Sequence, residues 1–252
     1  MVYGLYQSAA ALQVQEYRQA ITANNLANVD TPGFKPDRIT FQDRLSRSIA
    51  QKTMATRHPV LDGLPGGVFE SPVYTDHAQG PLTTTDAPLD LALEGEGLFK
   101  LRTDDGIRYS RDGRLVMDRD GRLRHAASGG EVLDDRGRPL LVDSRSRSPL
   151  RIDERGQVSQ GADEIGRLAI VRFADAQALG KTGANLFSAS GKEIAAEDVS
   201  VVQGAIEESN VDPVATLVDM IQATRAYQIN ATILTLQDDS LGRVVNELGR
   251  IG

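Results

Sequence analysis

The chain has 252 residues, 40% of them hydrophobic, which is enough for one large domain or two modest ones with a substantial core. It carries 28 basic against 35 acidic residues, and the net charge of -7 argues against nucleic acid as the main partner, because phosphate binding requires concentrated positive charge. The chain has no cysteine, which excludes disulfides and thiol chemistry. No secretory signal is evident, and no stretch is long and apolar enough to suggest membrane insertion.

Residues 1–29 are predicted to form a helix with one apolar seam. Only Glu16 and Arg18 are charged in this stretch, and apolar residues recur at the alternating spacing of three and four that is typical of a coiled coil. Pro32 and Gly33 end the helix, because proline disfavours helix at the preceding residue and glycine tolerates a positive φ. The seam positions are Val2, Leu5, Ala9, Leu12, Ala23 and Leu26.

The loop that follows this helix is predicted to direct the chain away from it. The amides of Asn24, Asn25 and Asn28 are able to satisfy backbone groups where the helix ends. Phe34 is expected to anchor the loop by burial.

A second and longer helix is predicted at the other end of the chain. Asp212 suits the N-cap and Pro213 the first helical position. Further apolar residues lie off its main seam, and a helix that is apolar on more than one side is buried by several neighbours. At a rise of ~1.5 Å per residue it would be about 50 Å long, too long for a small β domain to cover. The main seam reads Leu217, Met220, Thr224, Tyr227, Ala231, Leu234, Asp238, Leu241, Val245 and Leu248.

The middle of the chain is predicted to be rich in β-strands. Leu89, Leu91 and Leu93 alternate with other residues at a period of two, and Asp105-Gly106 and Asp120-Gly121 are turn signals of a hairpin meander. The predicted fold class is therefore α+β, in which long N- and C-terminal helices pair as a coiled coil around an inserted all-β domain. The predicted domains are a terminal helical assembly domain (1–35 and 205–252), an extended connecting segment (36–89) and a β-rich outer domain (90–204).

The sequence contains no constellation that indicates catalysis. His58, His77 and His125 are far apart and lack the spacing of metal ligands. No nucleophile elbow and no dinucleotide fingerprint is present. We therefore expect no enzyme activity, no cofactor and no bound metal.

Three separated motifs resemble one known family. They are Asn24-Asn-Leu-Ala-Asn-Val-Asp-Thr-Pro-Gly-Phe-Lys35, the central segment with Tyr109-Ser-Arg-Asp-Gly113, and Gly204 with Glu207 and Ser209-Asn-Val211. Met220-Ile221 and Arg225-Ala-Tyr227 extend the last motif. The chain resembles the bacterial flagellar rod and hook proteins, and its length is similar to that of the proximal-rod and distal-rod members, with a slight preference for the proximal one.

The resemblance implies a structural subunit of the flagellar basal-body rod, which polymerises helically through its terminal helices and links the motor to the hook. Its implied partners are copies of itself, other rod subunits, the flagellar type III export apparatus and the surrounding P- and L-ring bushing, with the rod spanning the periplasm. The alternative is a secreted surface binding module that oligomerises through its helices. The predicted assembly-interface residues are Leu5, Leu12, Asn25, Leu26, Asn28, Phe34, Asn210, Met220, Ile221, Tyr227, Leu234 and Leu241.

Overall fold

The computed structural model describes residues 2–39, 41–43, 68–70, 73–146 and 148–248. The chain folds into two compact units. The terminal unit comprises Met1–Ala27, Asp37–Tyr74 and Asp212–Gly252, and the β unit comprises Asn28–Pro36 and Thr75–Val211. Much of the predicted connecting segment 36–89, including 44–67, lies outside the described residues.

The terminal unit contains two helices, α1 (Val2–Ala27) and α2 (Pro213–Leu248). The start of α2 is capped by Asp212, whose Oδ1 accepts hydrogen bonds from the backbone N–H groups of Val214 (2.9 Å) and Ala215 (3.0 Å). Pro213 occupies the first helical position, where its missing N–H leaves no hydrogen bond unmade. The predicted start of the C-terminal helix is therefore confirmed. Neither described helix has an apolar run long enough to cross a membrane.

The predicted coiled coil between these helices is wrong, and so is the α+β fold class that depended on it. The hydrogen bonds and the ion pair described between α1 and α2 join polar side chains: Ser8 Oγ donates to Gln237 Oε1 (3.5 Å), Gln19 Nε2 donates to Thr224 Oγ1 (3.4 Å), and Arg18 lies 3.6 Å from Asp219. Within the described residues the chain is mostly β, with one helix near each end and no long paired coiled coil.

The reason is that the least exposed stripe of α2 overlaps the predicted seam only in part. Leu217 and Tyr227 of that seam are 47% and 39% exposed. The less exposed stripe includes polar side chains, which interrupt an apolar interface, and Ala223 alone is buried among the described side chains of α2. This stripe consists of Thr216, Met220, Ala223, Thr224, Ala226, Asn230, Ala231, Leu234, Gln237 and Leu241.

Short strands account for most of the remaining regular secondary structure in the described chain. The first four are β1 (Asp37–Arg38), β2 (Phe41–Asp43), β3 (Val68–Glu70) and β4 (Tyr74–Thr75), of which β2 and β3 pair antiparallel in the terminal unit. The strands of the β unit are β5 (Leu82–Thr84), β6 (Leu91–Glu94), β7 (Leu98–Thr103), β8 (Gly106–Ser110), β9 (Leu115–Met117), β10 (Leu123–His125), β11 (Glu131–Val132), β12 (Leu150–Ile152), β13 (Gln157–Gln160), β14 (Asp163–Arg167), β15 (Ile170–Arg172), β16 (Leu179–Gly183), β17 (Leu186–Ala189), β18 (Ile194–Ala195), β19 (Ser200–Gln203) and β20 (Ala205–Glu207).

The largest sheet of the β unit has the strand order β16-β17-β8-β7-β11-β10-β9, and β15 joins it by pairing with β7 and β18. Smaller sheets are β12-β13-β14, β19-β6 and β20-β5. Gly106 (φ 107) closes the hairpin of β7 and β8, and Gly121 (φ 80) closes that of β9 and β10. The two hairpins predicted at Asp105-Gly106 and Asp120-Gly121 are therefore confirmed.

The alternation along β7 divides the apolar residues of the β unit between two clusters. Phe99 and Leu101 point into the main core, together with Leu91 and Leu93. Leu98 points to the opposite side, into a second cluster with Tyr109, Val171, Leu179 and Phe187. Burial on both faces follows from the period of two along a strand. The β unit therefore has an apolar core on each side of its main sheet.

Candidate functional site

Parts of all three motifs meet inside the β unit. The backbone N–H of Gly33 donates to the carbonyl oxygen of Glu207 (2.7 Å), and the N–H of Asn210 donates to the carbonyl oxygen of Phe34 (3.3 Å). These two bonds join segment 28–36, which follows α1, to segment 205–211, which precedes α2. The junctions of both helices are thus held together at one place, which we call the motif junction.

Gly33 allows the third motif to approach. Its φ is +67°, and a Cβ atom added to it would lie 2.5 Å from the backbone N of Asp112 and 2.6 Å from the carbonyl carbon of Arg111. Glycine alone combines this left-handed conformation with the absence of a side chain. The Pro-Gly step therefore brings segment 28–36 into backbone contact with the central motif, in addition to ending the helix.

A buried ion cluster lies at the centre of the motif junction. Glu207 Oε1 accepts hydrogen bonds from Lys35 Nζ (2.6 Å) and from the backbone N–H of Gly80 (2.9 Å). Glu207 Oε2 accepts a hydrogen bond from Arg111 Nε. The side chains of Glu207, Lys35 and Arg111 are 0%, 3% and 4% exposed. Each of the three charges comes from a different motif.

The remaining donors of the two cations bind backbone carbonyl groups. Arg111 donates to the carbonyl oxygens of Gly97 (2.6 Å) and Leu93 (2.6 Å), and Lys35 donates to that of Ala78 (2.6 Å). Such bonds are required because a buried charge is tolerated only when it is paired and hydrogen-bonded. The cluster has the features of a structural tie, since its charged atoms are already engaged with partners of this chain.

The pKa of the Lys35 amine is lowered, mainly because burial removes it from water. The Glu207 carboxylate opposes this shift, and the nearby Arg111 charge adds to it. The cations of Lys35 and Arg111 are buried together with one anion. The Glu207 carboxylate therefore makes this cluster possible, because it compensates the two positive charges.

The hairpin of β16 and β17 holds the motif junction from another side. Phe34 is 7% exposed, and Lys181 Nζ lies 4.7 Å from the centre of its ring. Lys181 Nζ also donates to the carbonyl oxygen of Lys35 (2.6 Å), and Asn185 Nδ2 donates to that of Pro32 (2.6 Å). Segment 28–36 is therefore built into the β unit.

A pocket of about 420 Å³ opens beside the ion cluster. His77 lines it, and burial lowers the pKa of this imidazole, with the Lys35 charge contributing to the shift. Its Nε2 atom has no hydrogen-bond partner. Among the described residues, no group of three side chains could hold a metal ion.

The predicted interface residues lie in both units. In the terminal unit, Asn25 Nδ2 donates to the carbonyl oxygen of Asp37 (2.7 Å) and Asn25 Oδ1 accepts from its N–H (3.0 Å). Ile221 is 52% exposed and Tyr227 39%. The side chain of Leu5 lies outside the described residues. Leu12, Leu26, Met220, Leu234 and Leu241 are half-buried.

The β unit holds the other predicted interface residues. Asn28 Oδ1 accepts a hydrogen bond from Thr31 Oγ1 (3.1 Å), and the backbone bond described above joins Phe34 to Asn210. The ion cluster of Lys35, Arg111 and Glu207 was not predicted from the sequence. The one signal of this cluster in the sequence was that each motif contains a charged residue.

Two family profiles match the ends of the chain. Residues 5–35 match the family described as flagella basal body rod protein, and residues 202–248 match flagellar basal body rod FlgEFG protein C-terminal. Flagellar basal-body rod protein FlgF of Caulobacter vibrioides is 35% identical over 92% of this chain and 91% of its own length. Flagellar basal-body rod protein FlgG of Bacillus subtilis is 32% identical over 98% of this chain and 99% of its own length. The FlgG protein of Borreliella burgdorferi is 32% identical over 99% of this chain and 100% of its own length.

These similarities cover nearly the whole length of the chain and place it among structural subunits of a large assembly, which are not enzymes. The chain belongs to the flagellar basal-body rod protein family. The family resemblance of the three motifs is confirmed, and so is the prediction that the protein is a structural rod subunit of the flagellar basal body and not an enzyme.

Proposed function

We propose that this rod subunit polymerises with copies of itself and with other rod subunits through the outward side of α2. The observation that carries the proposal is a set of large apolar side chains exposed on this helix, between 38% and 69% each. We call them the α2 apolar face; they are Val214, Leu217, Val218, Ile221, Ile229, Ile233 and Leu236.

An exposed set of this kind favours association, because burying apolar surface is the main driving force of protein assembly. Contacts between different surfaces of successive subunits generate an open helix when the rotation does not close into a ring. A rod that transmits rotation from the motor to the hook is such an assembly. The predicted interface residues of both units, from Leu5 to Leu241, remain candidates for these contacts.

We further propose that the segments of the chain have the separate roles expected from the sequence. Residues 1–35 and 205–252 serve assembly, 36–89 connects, and 90–204 forms the outer layer of the rod. Export by the flagellar type III apparatus, contact with the P- and L-ring bushing, and a position spanning the periplasm are part of the same proposal. Family membership supports them.

The experiment compares Ile229→Asp with Gly242→Asp. Ile229 is 60% exposed, so the substitution should change the free energy of unfolding of the monomer by no more than about 0.5 kcal/mol. Buried against a neighbouring subunit, however, an unpaired carboxylate would cost several kcal/mol. Rods imaged from cells that carry Ile229→Asp should be missing or incomplete, and swimming should be lost.

Gly242→Asp is the matched control, because it adds the same charge at an exposed position of α2 that lies about 140° around the helix from Ile229 and has open space for a side chain. Cells with this variant should swim. Normal swimming with Ile229→Asp would refute assembly through the α2 apolar face, and equal loss with both variants would assign the effect to charge alone.

A further inference from the structure

Glu207 connects parts of the chain that are far apart in sequence. Its carboxylate binds Lys35, Gly80 and Arg111, which are 172, 127 and 96 residues away. Its own carbonyl oxygen accepts the hydrogen bond from Gly33. One residue of the segment that precedes α2 therefore holds the segment that follows α1, through both its side chain and its backbone.

Because of the buried charges, docking of segment 28–36 and docking of segment 205–211 should be close to all-or-none. If segment 205–211 were not docked, Lys35 and Arg111 would be two cations without their shared anion. Lys35 would then favour water over a buried site, because removal of one partner of a buried ion pair leaves an uncompensated charge. Conversely, without Lys35 the Oε1 atom of Glu207 keeps only the N–H of Gly80 among its described partners.

We propose that Glu207 acts as a latch, which lets segment 28–36 dock onto the β unit only when segment 205–211 is in place. The two junctions that lead into the terminal helices therefore become ordered together. A chain whose C-terminal part has not yet joined the β unit keeps its N-terminal junction undocked. Glu207 is a positioning residue in this account, distinct from the apolar residues that contact neighbouring subunits.

Hydrogen exchange on the full-length protein tests the latch with Glu207→Gln. The amide of Gly33 reports on the docking of segment 28–36, because it is bonded to the carbonyl oxygen of residue 207. We expect its exchange to be at least tenfold faster in the variant, while amides of the β7–β8 hairpin stay within about twofold of their original rates. Glu208→Gln is the matched control, since Glu208 is exposed and bonds only Thr83 among the described side-chain contacts.

The reciprocal variant separates a latch from a simple loss of stability. Lys35→Met should accelerate exchange of the Asn210 amide in segment 205–211, and it provides the test if Glu207→Gln does not fold. In the double variant the acceleration should be smaller than the product of the two single effects, because both remove the same contact. Unchanged exchange of Gly33, uniform acceleration over the whole β unit, or independent effects of the two variants would each overturn the proposal.

Discussion

In the β unit, Leu91, Leu101 and Leu123 are fully buried, whereas in the terminal unit Val214, Ile229 and Leu236 of α2 are 69%, 60% and 62% exposed. The β unit thus buries most of its large apolar side chains within one chain, whereas α2 leaves a set of them exposed. A helix gains most of its stability from packing of its apolar side, so α2 needs a partner that the β unit does not need. For a rod subunit, this difference separates the part that folds from the part that assembles.

The largest expected effect comes from truncating one leucine in each unit. Leu123→Ala should lower the free energy of unfolding of the β unit by about 2–5 kcal/mol, because it leaves a cavity in the main core. Leu236→Ala should change the stability of the monomer by no more than about 0.5 kcal/mol. Scanning calorimetry of the purified variants measures both, and a Leu236→Ala monomer as unstable as Leu123→Ala would erase the contrast between the units.

A smaller effect is expected at the motif junction. Gly33→Ala and Gly129→Ala both force alanine into a left-handed conformation (φ 67 and 69), which costs roughly 1–2 kcal/mol. Gly129 has open space where the Cβ would lie, whereas at Gly33 the Cβ would lie 2.5 Å from Asp112 N. Gly33→Ala should therefore have the lower melting temperature. Equal melting temperatures would mean that the close approach of the central motif to Gly33 does not constrain the β unit.

Local signals in the sequence were sufficient for much of the fold. Asp212-Pro213 predicted the start of α2, because the aspartate side chain and the proline ring act within one turn of the chain. Asp105-Gly106 and Asp120-Gly121 predicted hairpins for the same local reason. The alternation of Leu91 and Leu93 predicted a strand.

The helix contact could not be predicted in the same way. Apolar residues lie on several sides of α2, so their spacing supports more than one register. The stripe that is least exposed contains Thr216, Asn230 and Gln237, which no apolar pattern would select. The side of α2 that faces α1 is determined by tertiary packing. In the structure this packing does not form a long coiled coil.

The ion cluster was beyond sequence reasoning for a different reason. Charged residues are mostly exposed, so Lys35, Arg111 and Glu207 each suggest a solvated position when read alone. Their pairing depends on the path of the chain across 172 residues, which brings the three motifs together. The motifs indicated which residues matter, and only the structure shows that they bind one another.

The central claim is that the β unit is self-contained, while α2 depends on neighbouring subunits. Hydrogen exchange on the full-length monomer before assembly tests it most directly, because exchange reports the stability of each segment separately. Amides of α2 (Pro213–Leu248) should exchange much faster than those of β6, β7 and β8, and they should become protected in assembled rods. Equal protection of α2 and these strands in the free monomer would contradict the account.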